Sequence, residues 1–173
     1  RRAFGKNAYG FKYDLLSRLT DAKYKYKNGE NSYNHIDRYS VNNLSYDLNG
    51  NILTLDRYGM NGVNGGGNPT YGLMDNMTYS YEGNQISSNG EGSSTDYGFK
   101  EVPTIGGGLP NGFEYLYDQN GNMVVDKNKD ISIEYNLLNL PRKISFGAAG
   151  INWIEIDYDA AGVKLQKRTY TNG

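Results

Sequence analysis

Apolar and polar residues alternate along most of the chain, with the two-residue period that is typical of β-strands. The alternation is clearest in residues 113–117, 131–135 and 153–158, where aromatic or aliphatic side chains occupy every second position. No stretch shows the 3.6-residue period of an amphipathic helix. The pattern therefore predicts an all-β fold of antiparallel strands.

A short motif recurs within this alternation. It consists of an apolar residue, a spacer, a Tyr, a polar residue that is usually Asp, and a turn signal. Asp and Asn side chains bond to N–H groups two residues further on, and a Gly or Asn three residues after the polar position tolerates positive φ. These residues suit a type I turn closed by a G1 bulge, so we predict that each copy forms a strand, a tight turn and a returning strand. Copies occur in residues 11–19, 44–52, 79–86, 115–123, 133–140 and 156–163.

The recurring positions are candidate structural residues. We predict that the tyrosines form a ladder between neighbouring hairpins, and that the Asp, Gly and Asn residues set the turns. The predicted repeat-anchor residues are Tyr13, Asp14, Tyr46, Asp47, Gly50, Tyr81, Tyr117, Asp118, Gly121, Tyr135, Asn139, Tyr158, Asp159 and Gly162.

Two glycine-rich stretches interrupt the motif. Residues 59–70 and 87–111 contain clustered Gly and Pro, which weaken strand pairing, so we predict long surface loops there. Because the motif resumes beyond each stretch, the chain is predicted to be a single repeat domain over residues 1–173.

Composition excludes several classes of site. The 173 residues include 23 Gly and 17 Tyr but no Cys and one His, which excludes disulfides, a thiol nucleophile, a zinc–thiolate site and a two-histidine metal motif. The net charge of −1 gives no field that would attract nucleic acid. No apolar run is long enough for a membrane span. The chain begins with Arg rather than Met and has no signal-like segment, so we expect a piece of a longer protein.

No residue pattern predicts catalysis. The repeated Asp residues share one turn environment, whereas acid–base pairs need distinct environments. Residues 126–130 resemble the start of a calcium loop, but Ile131 and Leu137 stand where that loop needs Gly and Glu. His35 has no Cys nucleophile to serve. We therefore expect no catalytic, metal-binding or cofactor-binding residues, and a protein that is not an enzyme.

Tyrosine is the one enriched residue with a chemically versatile side chain, and it leaves a second interpretation of the protein's function open. Its ring packs while its hydroxyl reaches water, so exposed rings offer a platform on which sugars can stack. Tyr24 and Tyr26 are the speculative glycan contacts, with Tyr33 and Tyr39 as further examples.

The motif also resembles a known family. The segments YDLNGN at 46–51 and YDQNGN at 117–122 resemble the YD repeat of the RHS (rearrangement hotspot) family. The segment YDLLSRLT at 13–20 resembles its sister form, in which Arg-Leu-Thr follows the turn. Residues 121–165 are similar to RHS proteins of Bacteroidetes-type bacteria in particular.

The resemblance implies a twisted, spiral-like open sheet of stacked antiparallel hairpins, which winds into a hollow shell in long family members. Such proteins are secreted or displayed on the bacterial cell surface, and some enclose and deliver a C-terminal toxin, as polymorphic toxins do. We therefore expect a non-catalytic scaffold segment whose partners are the rest of the parent chain or its effector domain. Its ends are expected to self-associate edge to edge, or to be covered by the two loops. The alternative is a carbohydrate- or surface-binding adhesion module, since related proteins mediate cell contact and can bind glycans.

Overall fold

The architecture is entirely β in a computed structural model of the chain, which describes residues 6–27, 34–35, 38–93, 95–100, 112–147 and 149–171. No α-helix occurs among these residues, so the all-β prediction is confirmed. The strands are β1 (Lys6–Tyr13), β2 (Leu19–Lys27), β3 (Asn34–His35), β4 (Val41–Tyr46), β5 (Ile52–Val63), β6 (Pro69–Glu82), β7 (Gln85–Glu91), β8 (Tyr115–Tyr117), β9 (Met123–Asp126), β10 (Ile131–Tyr135), β11 (Pro141–Phe146), β12 (Asn152–Tyr158) and β13 (Lys164–Tyr170).

The chain divides into two compact units. The first comprises residues 1–80 and 89–101, and the second comprises residues 81–88 and 102–173. A compact unit is not by itself an independently folding domain, so the single repeat domain over residues 1–173 stays a prediction.

The first sheet has the order β1-β2-β4-β5-β6-β7, with β3 paired to β2. Strands β1 and β2 form an antiparallel hairpin in which Tyr9 lies opposite Tyr24. The longest hairpin is β5–β6, in which Leu55 lies opposite Met77 and Arg57 opposite Asp75. Since side chains alternate across a strand, these last four share one face.

The second sheet is a meander with the order β13-β12-β11-β10-β9-β8, so each strand pairs with its neighbour along the chain. Ile144 lies between Ile133 on one side and Ile154 on the other. The alternation that predicts the strands thus places isoleucines side by side across three strands, where they pack on one face.

Few apolar side chains are fully buried. Ala22, Tyr24 and Met77 are buried in the first unit, and Tyr115 and Ile156 in the second. Most other strand positions among the described residues are only half-buried. Contacts between adjacent strands and turns therefore matter more for stability here than they do in a thick core.

The prediction of a long loop at residues 59–70 is wrong. Strand β5 continues to Val63, a short turn follows, and β6 begins at Pro69. Its glycines make room for close cross-strand neighbours: a Cβ atom at Gly59 would lie 2.8 Å from the Met74 sulfur, and one at Gly72 would lie 2.5 Å from Asn61 Nδ2. Clustered glycine here marks close side-chain approach instead of a break in the ladder.

The prediction of a loop at residues 87–111 is wrong at its start. Strand β7 includes residues 87–91, and Glu91 Oε1 accepts N–H bonds from Asn76 (2.8 Å) and Ser93 (2.6 Å). Residues 95–100 are irregular, and residues 101–111 lie outside the described residues.

Candidate functional site

The turn that begins at Asp118 shows how the motif folds locally. The Asp118 N–H donates to the Asn122 carbonyl (2.9 Å), and the Gly121 N–H donates to the Asp118 carbonyl (3.1 Å). Oδ1 of Asp118 accepts N–H bonds of 2.9 Å from Asn120 and Asn122. Oδ2 accepts a bond from Asn122 Nδ2, also 2.9 Å. The carboxylate therefore accepts hydrogen bonds from the N–H groups of its own turn, as in an Asx turn.

Five other turns among the described residues repeat the backbone bonds and the two Oδ1 contacts, with Asp or Asn at the first position. They begin at Asp14, Asp47, Asn64, Asn136 and Asp159. The copy at Asn64 is missed by the sequence motif because Val63 precedes it where other copies have Tyr. The spacing of Asn64 and Gly67 is the signal that could have found it.

The fourth residue of each turn has the left-handed backbone that this turn type requires. The values of φ are 61° at Ser17, 91° at Gly50, 77° at Gly67, 83° at Gly121, 57° at Asn139 and 82° at Gly162. Strand pairing shifts by one residue beside the anchor tyrosines 13, 46, 117, 135 and 158, which is the accompanying bulge.

Hydrogen bonds in the turns lower the pKa of three of the carboxyl groups. At Asp118 and Asp47 the largest cause is a side-chain bond from Asn122 and Asn51, respectively. At Asp14 the largest cause is the backbone N–H of Arg18. The turns therefore favour the ionised carboxylate.

We expect acid to weaken these turns. A carboxyl group whose pKa is lower in the folded than in the unfolded chain stabilises the fold above its unfolded pKa of about 3.9, and this contribution is lost as pH falls through the folded value. In an NMR titration, the Asp118 carboxyl carbon should have its midpoint below the ordinary value of 3.8. In Asp118→Asn, the unfolding free energy should fall less steeply below about pH 4. A midpoint at or above the ordinary value would contradict the turn geometry.

Four anchor tyrosines each tie a hairpin to the one before it. The tyrosine hydroxyl donates to a carbonyl at or next to the start of the returning strand in the preceding hairpin. These bonds, which we call tyrosine ties, are Tyr46 to Leu19 (2.7 Å), Tyr117 to Ile86 (3.0 Å), Tyr135 to Met123 (2.8 Å) and Tyr158 to Pro141 (3.1 Å). Burial raises the pKa of Tyr117 and Tyr135, which keeps on each hydroxyl the proton that it donates.

The other two anchor tyrosines, Tyr13 and Tyr81, have different surroundings. Tyr13 belongs to the first described hairpin, and its side chain is 60% exposed. Tyr81 precedes a shorter turn at Gly83 and Asn84, in which Gly83 has positive φ. The contacts shown between the anchor tyrosines and the preceding hairpins are hydroxyl-to-carbonyl bonds at four of the six anchor tyrosines, and the ladder over all six stays a prediction.

Neighbouring turns also contact each other through side chains. Arg18 pairs with Asp14 through Nε (2.7 Å), donates from Nη1 to the Asp47 carbonyl (3.0 Å), and stacks over the Tyr46 ring. In the second unit, Asn120 and Asn122 each donate to Asn139 Oδ1, both at 3.0 Å. Within each unit, several of the predicted anchor residues therefore take part in structural contacts between neighbouring turns.

Aromatic rings form a second cluster, in the first unit. Tyr9 stacks beside Phe11 with ring centroids 6.0 Å apart and meets Tyr24 edge to face at 5.6 Å. Tyr24 contacts Tyr39 at 5.2 Å, and Tyr39 contacts Tyr71 at 5.7 Å. We call these five residues the aromatic cluster. Its exposed rings are those of Tyr9, Phe11 and Tyr39.

The expectation that Tyr24 is an exposed ring is wrong. Tyr24 is only 7% exposed, because the rings of Tyr9 in β1 and Tyr39 just before β4 cover it, and its hydroxyl donates to Asn7 Oδ1 (2.7 Å). Tyr26 is half-buried, and Tyr33 lies outside the described residues. Among the described members of the predicted set, Tyr39, at 47% exposed, is the ring that presents a large surface. Sequence alternation could not show the burial of Tyr24, since the rings that cover it come from other segments of the chain.

In the acidic segment at residues 126–130, the Lys129 side chain pairs with Asp126. Asp126 is buried, and its Oδ2 accepts a bond from Lys129 Nζ (2.9 Å) while its Oδ1 accepts the Lys129 N–H (3.1 Å). Among the described residues, no group of three or more His, Cys, Asp or Glu side chains is placed to hold a metal ion. The His35 side chain lies outside the part of the chain that is described.

Comparison with known proteins finds no matching family model and no match among curated proteins. Within the described part of the chain, no helix has the length and apolar character needed to cross a membrane.

Proposed function

We propose that this chain is a non-catalytic scaffold segment of a secreted or bacterial cell-surface protein of the RHS (YD-repeat) type. In this proposal its hairpins stack into a twisted, spiral-like open sheet. The observation that supports the proposal most is the recurrence of the tyrosine tie in four pairs of neighbouring hairpins.

A tie of this kind favours an array. The hairpins β8–β9 and β10–β11 each present a donor hydroxyl toward the hairpin before them and an acceptor carbonyl toward the hairpin after them. Such a hairpin can be repeated along the chain with the same contact between neighbours. The neighbours then supply the stability that one hairpin lacks. The same repetition argues against catalysis at the turns, because four of the six turns begin with an Asp in the same type of turn, whereas acid–base pairs need distinct environments.

In the parent protein, the proposed partners are the neighbouring hairpins of the same chain or an effector domain that they enclose. A segment of this length supplies too few strands to close a shell. Enclosure and delivery of a C-terminal effector would therefore be a property of the parent protein.

Location in the producing cell tests this proposal. Antibodies raised against the 173-residue chain should label intact cells or the culture medium, and external protease should remove the signal from intact cells. A cytosolic protein serves as the control for lysis. A signal that appears only after the cells are broken would overturn the secreted or surface-displayed scaffold.

We predict that the isolated 173-residue protein self-associates through its outer strands. Strands β1 and β13 each have one edge without a strand partner among the described residues, and Phe11 (55%) and Leu165 (67%) are largely exposed there. Lys12, Lys164 and Lys167 repel a second copy, so association should strengthen with salt, which screens their charges. Sedimentation at low and high salt measures this. A monomer at every concentration, with freely exchanging amides in both strands, would contradict it.

A carbohydrate- or surface-binding module is the second candidate. The aromatic cluster favours it, because Tyr9, Phe11 and Tyr39 are 46%, 55% and 47% exposed, and exposed aromatic rings can stack on sugars. Arg38 lies over the Tyr71 ring at 4.6 Å and adds a hydrogen-bond donor beside the cluster. The predicted contacts at Tyr24 and Tyr26 thus shift to the neighbouring rings that reach solvent.

A glycan array tests this second candidate. Tyr9→Ala and Tyr39→Ala should each weaken any binding about tenfold, since one stacked ring contributes on the order of 1 kcal/mol or more. Tyr97→Ala is the matched control, because Tyr97 is also 47% exposed but lies outside the aromatic cluster. Absence of binding, or equal loss in the control, would contradict glycan recognition by this cluster.

A further inference from the structure

A cavity of about 290 Å³ lies on the β5–β6 hairpin of the first unit. Its walls are Leu55, Arg57, Asp75, Met77, Tyr79 and Phe99. The first four share a face of the hairpin through the pairs Leu55–Met77 and Arg57–Asp75, and Phe99 comes from the irregular segment that follows β7. The site is therefore assembled from three separate parts of the chain.

The Asp75 side chain is buried in this wall. It is 1% exposed, and it accepts hydrogen bonds from Arg57 Nε and from the Phe99 N–H. Thr95 Oγ1 donates to the Met74 carbonyl (3.1 Å), which holds the covering segment in place. A Cβ atom at Gly98 would lie 2.3 Å from Asp75 Oδ1 and 2.4 Å from the Met74 carbonyl oxygen, so only Gly fits. The segment is thus shaped around the carboxylate.

Arg57 is oriented by Asp75 but not covered. Its side chain is 49% exposed, and Nε makes its only hydrogen bond to another described residue. The planar guanidinium therefore presents Nη1 and Nη2 without partners within the described part of the chain. These two nitrogens match the two oxygens of a carboxylate in a bidentate pair.

The rest of the wall is chiefly apolar. Met77 is buried, while Leu55 and Phe99 are half-buried and supply hydrocarbon surface beside the arginine. Burial, followed by the charge of Asp75, raises the pKa of the Tyr79 hydroxyl, so Tyr79 remains a neutral donor. Glu91 is the other carboxylate that acts on Tyr79, and its Oε1 is already bonded to backbone N–H groups.

We propose that this cavity binds a small organic carboxylate whose apolar part is a single ring or a branched chain. The ligand carboxylate pairs with Nη1 and Nη2 of Arg57, and its apolar part packs on Leu55, Met77 and Phe99. The volume lies just below the range of about 300–1,000 Å³ for ligand sites, which restricts the ligand to this size. The inference goes beyond the scaffold function and does not depend on it.

The alternative is that these residues have a structural role alone and bind no ligand. Arg57 and Asp75 would only fix the covering segment, and the free guanidinium edge would bind water. The two cases differ in whether a carboxylate recognises the site, so the probe must vary the carboxylate and keep the ring unchanged.

NMR titration of the intact 173-residue chain makes this test. The probes are 3-phenylpropionate and its amide, and the readout is the Met77 ε-methyl signal, with Met123 of the second unit as internal reference. The acid should cause a saturable shift at Met77 with a dissociation constant on the order of 1 mM, as expected for a ligand of this size. The amide should cause none. Equal effects of acid and amide, or no saturable shift, would overturn the proposal.

Two further experiments test whether the ligand binds at Arg57 and whether its carboxylate belongs to a peptide C-terminus or to a free acid. Arg57→Lys keeps the charge beside Asp75 but loses the planar fork, so the dissociation constant should rise at least about tenfold, while Arg142→Lys should leave it unchanged. If Arg57→Lys does not fold, the acid–amide comparison on the unaltered chain decides. Ala-Ala-Phe with a free C-terminus separates a peptide end from a free acid: tighter binding than 3-phenylpropionate assigns a peptide carboxylate, and weaker binding a free acid. Unchanged affinity in Arg57→Lys would overturn the assignment to this cavity.

Discussion

Replacing Tyr117, Tyr135 and Tyr158 together by Phe should lower the free energy of unfolding by about 3 kcal/mol. Each substitution removes one hydroxyl that donates to a carbonyl of the preceding hairpin and leaves the ring in place. An intramolecular hydrogen bond contributes roughly 1 kcal/mol net, and the three bonds have no donor or acceptor in common, so their losses should add. Because domains are stable by only about 5–15 kcal/mol, urea unfolding will detect this change readily.

Tyr13→Phe is the matched control. The Tyr13 side chain is 60% exposed, and no described residue accepts a bond from its hydroxyl, so its unfolding free energy should change by less than about 0.5 kcal/mol. If the triple variant unfolds at the same urea concentration as the parent chain, the tyrosine ties do not stabilise the array.

Gly121→Val should destabilise the chain by about 2 kcal/mol. Gly121 has φ of 83°, which a β-branched residue adopts only with strain, and the turn bonds at Asp118 hold the backbone there. Space does not limit the substitution, since the nearest atom to an added Cβ is Gln85 Nε2 at an ordinary 3.5 Å. Thermal unfolding monitored by circular dichroism measures the effect, which should appear as a lower Tm.

The turn at Asn64 provides the control for this effect. Gly65 lies in an equivalent turn with open space around it and does not have positive φ, whereas Gly67 has φ of 77°. Gly67→Val should therefore lower Tm as Gly121→Val does, and Gly65→Val should change it much less. Equal effects at Gly65 and Gly67 would show that bulk in the turn matters and that backbone handedness does not.

The turns and the strand class can be predicted from sequence because their causes are local. Asp118 and Gly121 fold their turn through contacts within five residues, and the two-residue alternation of β10 and β12 needs no knowledge of neighbours. The tie of Tyr135 is less accessible to sequence reasoning. Its acceptor is a backbone carbonyl, which any residue supplies, so the sequence of the acceptor position gives no signal.

The errors in the sequence predictions have non-local causes. Gly59 and Gly72 indicate a loop when taken alone, and only the register of β5 with β6 brings Met74 and Asn61 over them. The pairing of Arg57 with Asp75 depends on the same register and also on the segment that contains Phe99. Neither residue stands out in a sequence rich in charged and turn-forming residues.

The measurement that tests the proposed function most directly is the sequence of the coding DNA on both sides of this segment. The scaffold proposal predicts further copies of the apolar–spacer–Tyr–Asp motif in the same frame, a signal peptide upstream and a variable domain after the last repeat. A frame without further repeats that ends near Gly173 would contradict it. The hairpins would then function alone, and the carbohydrate- or surface-binding module would become the better explanation.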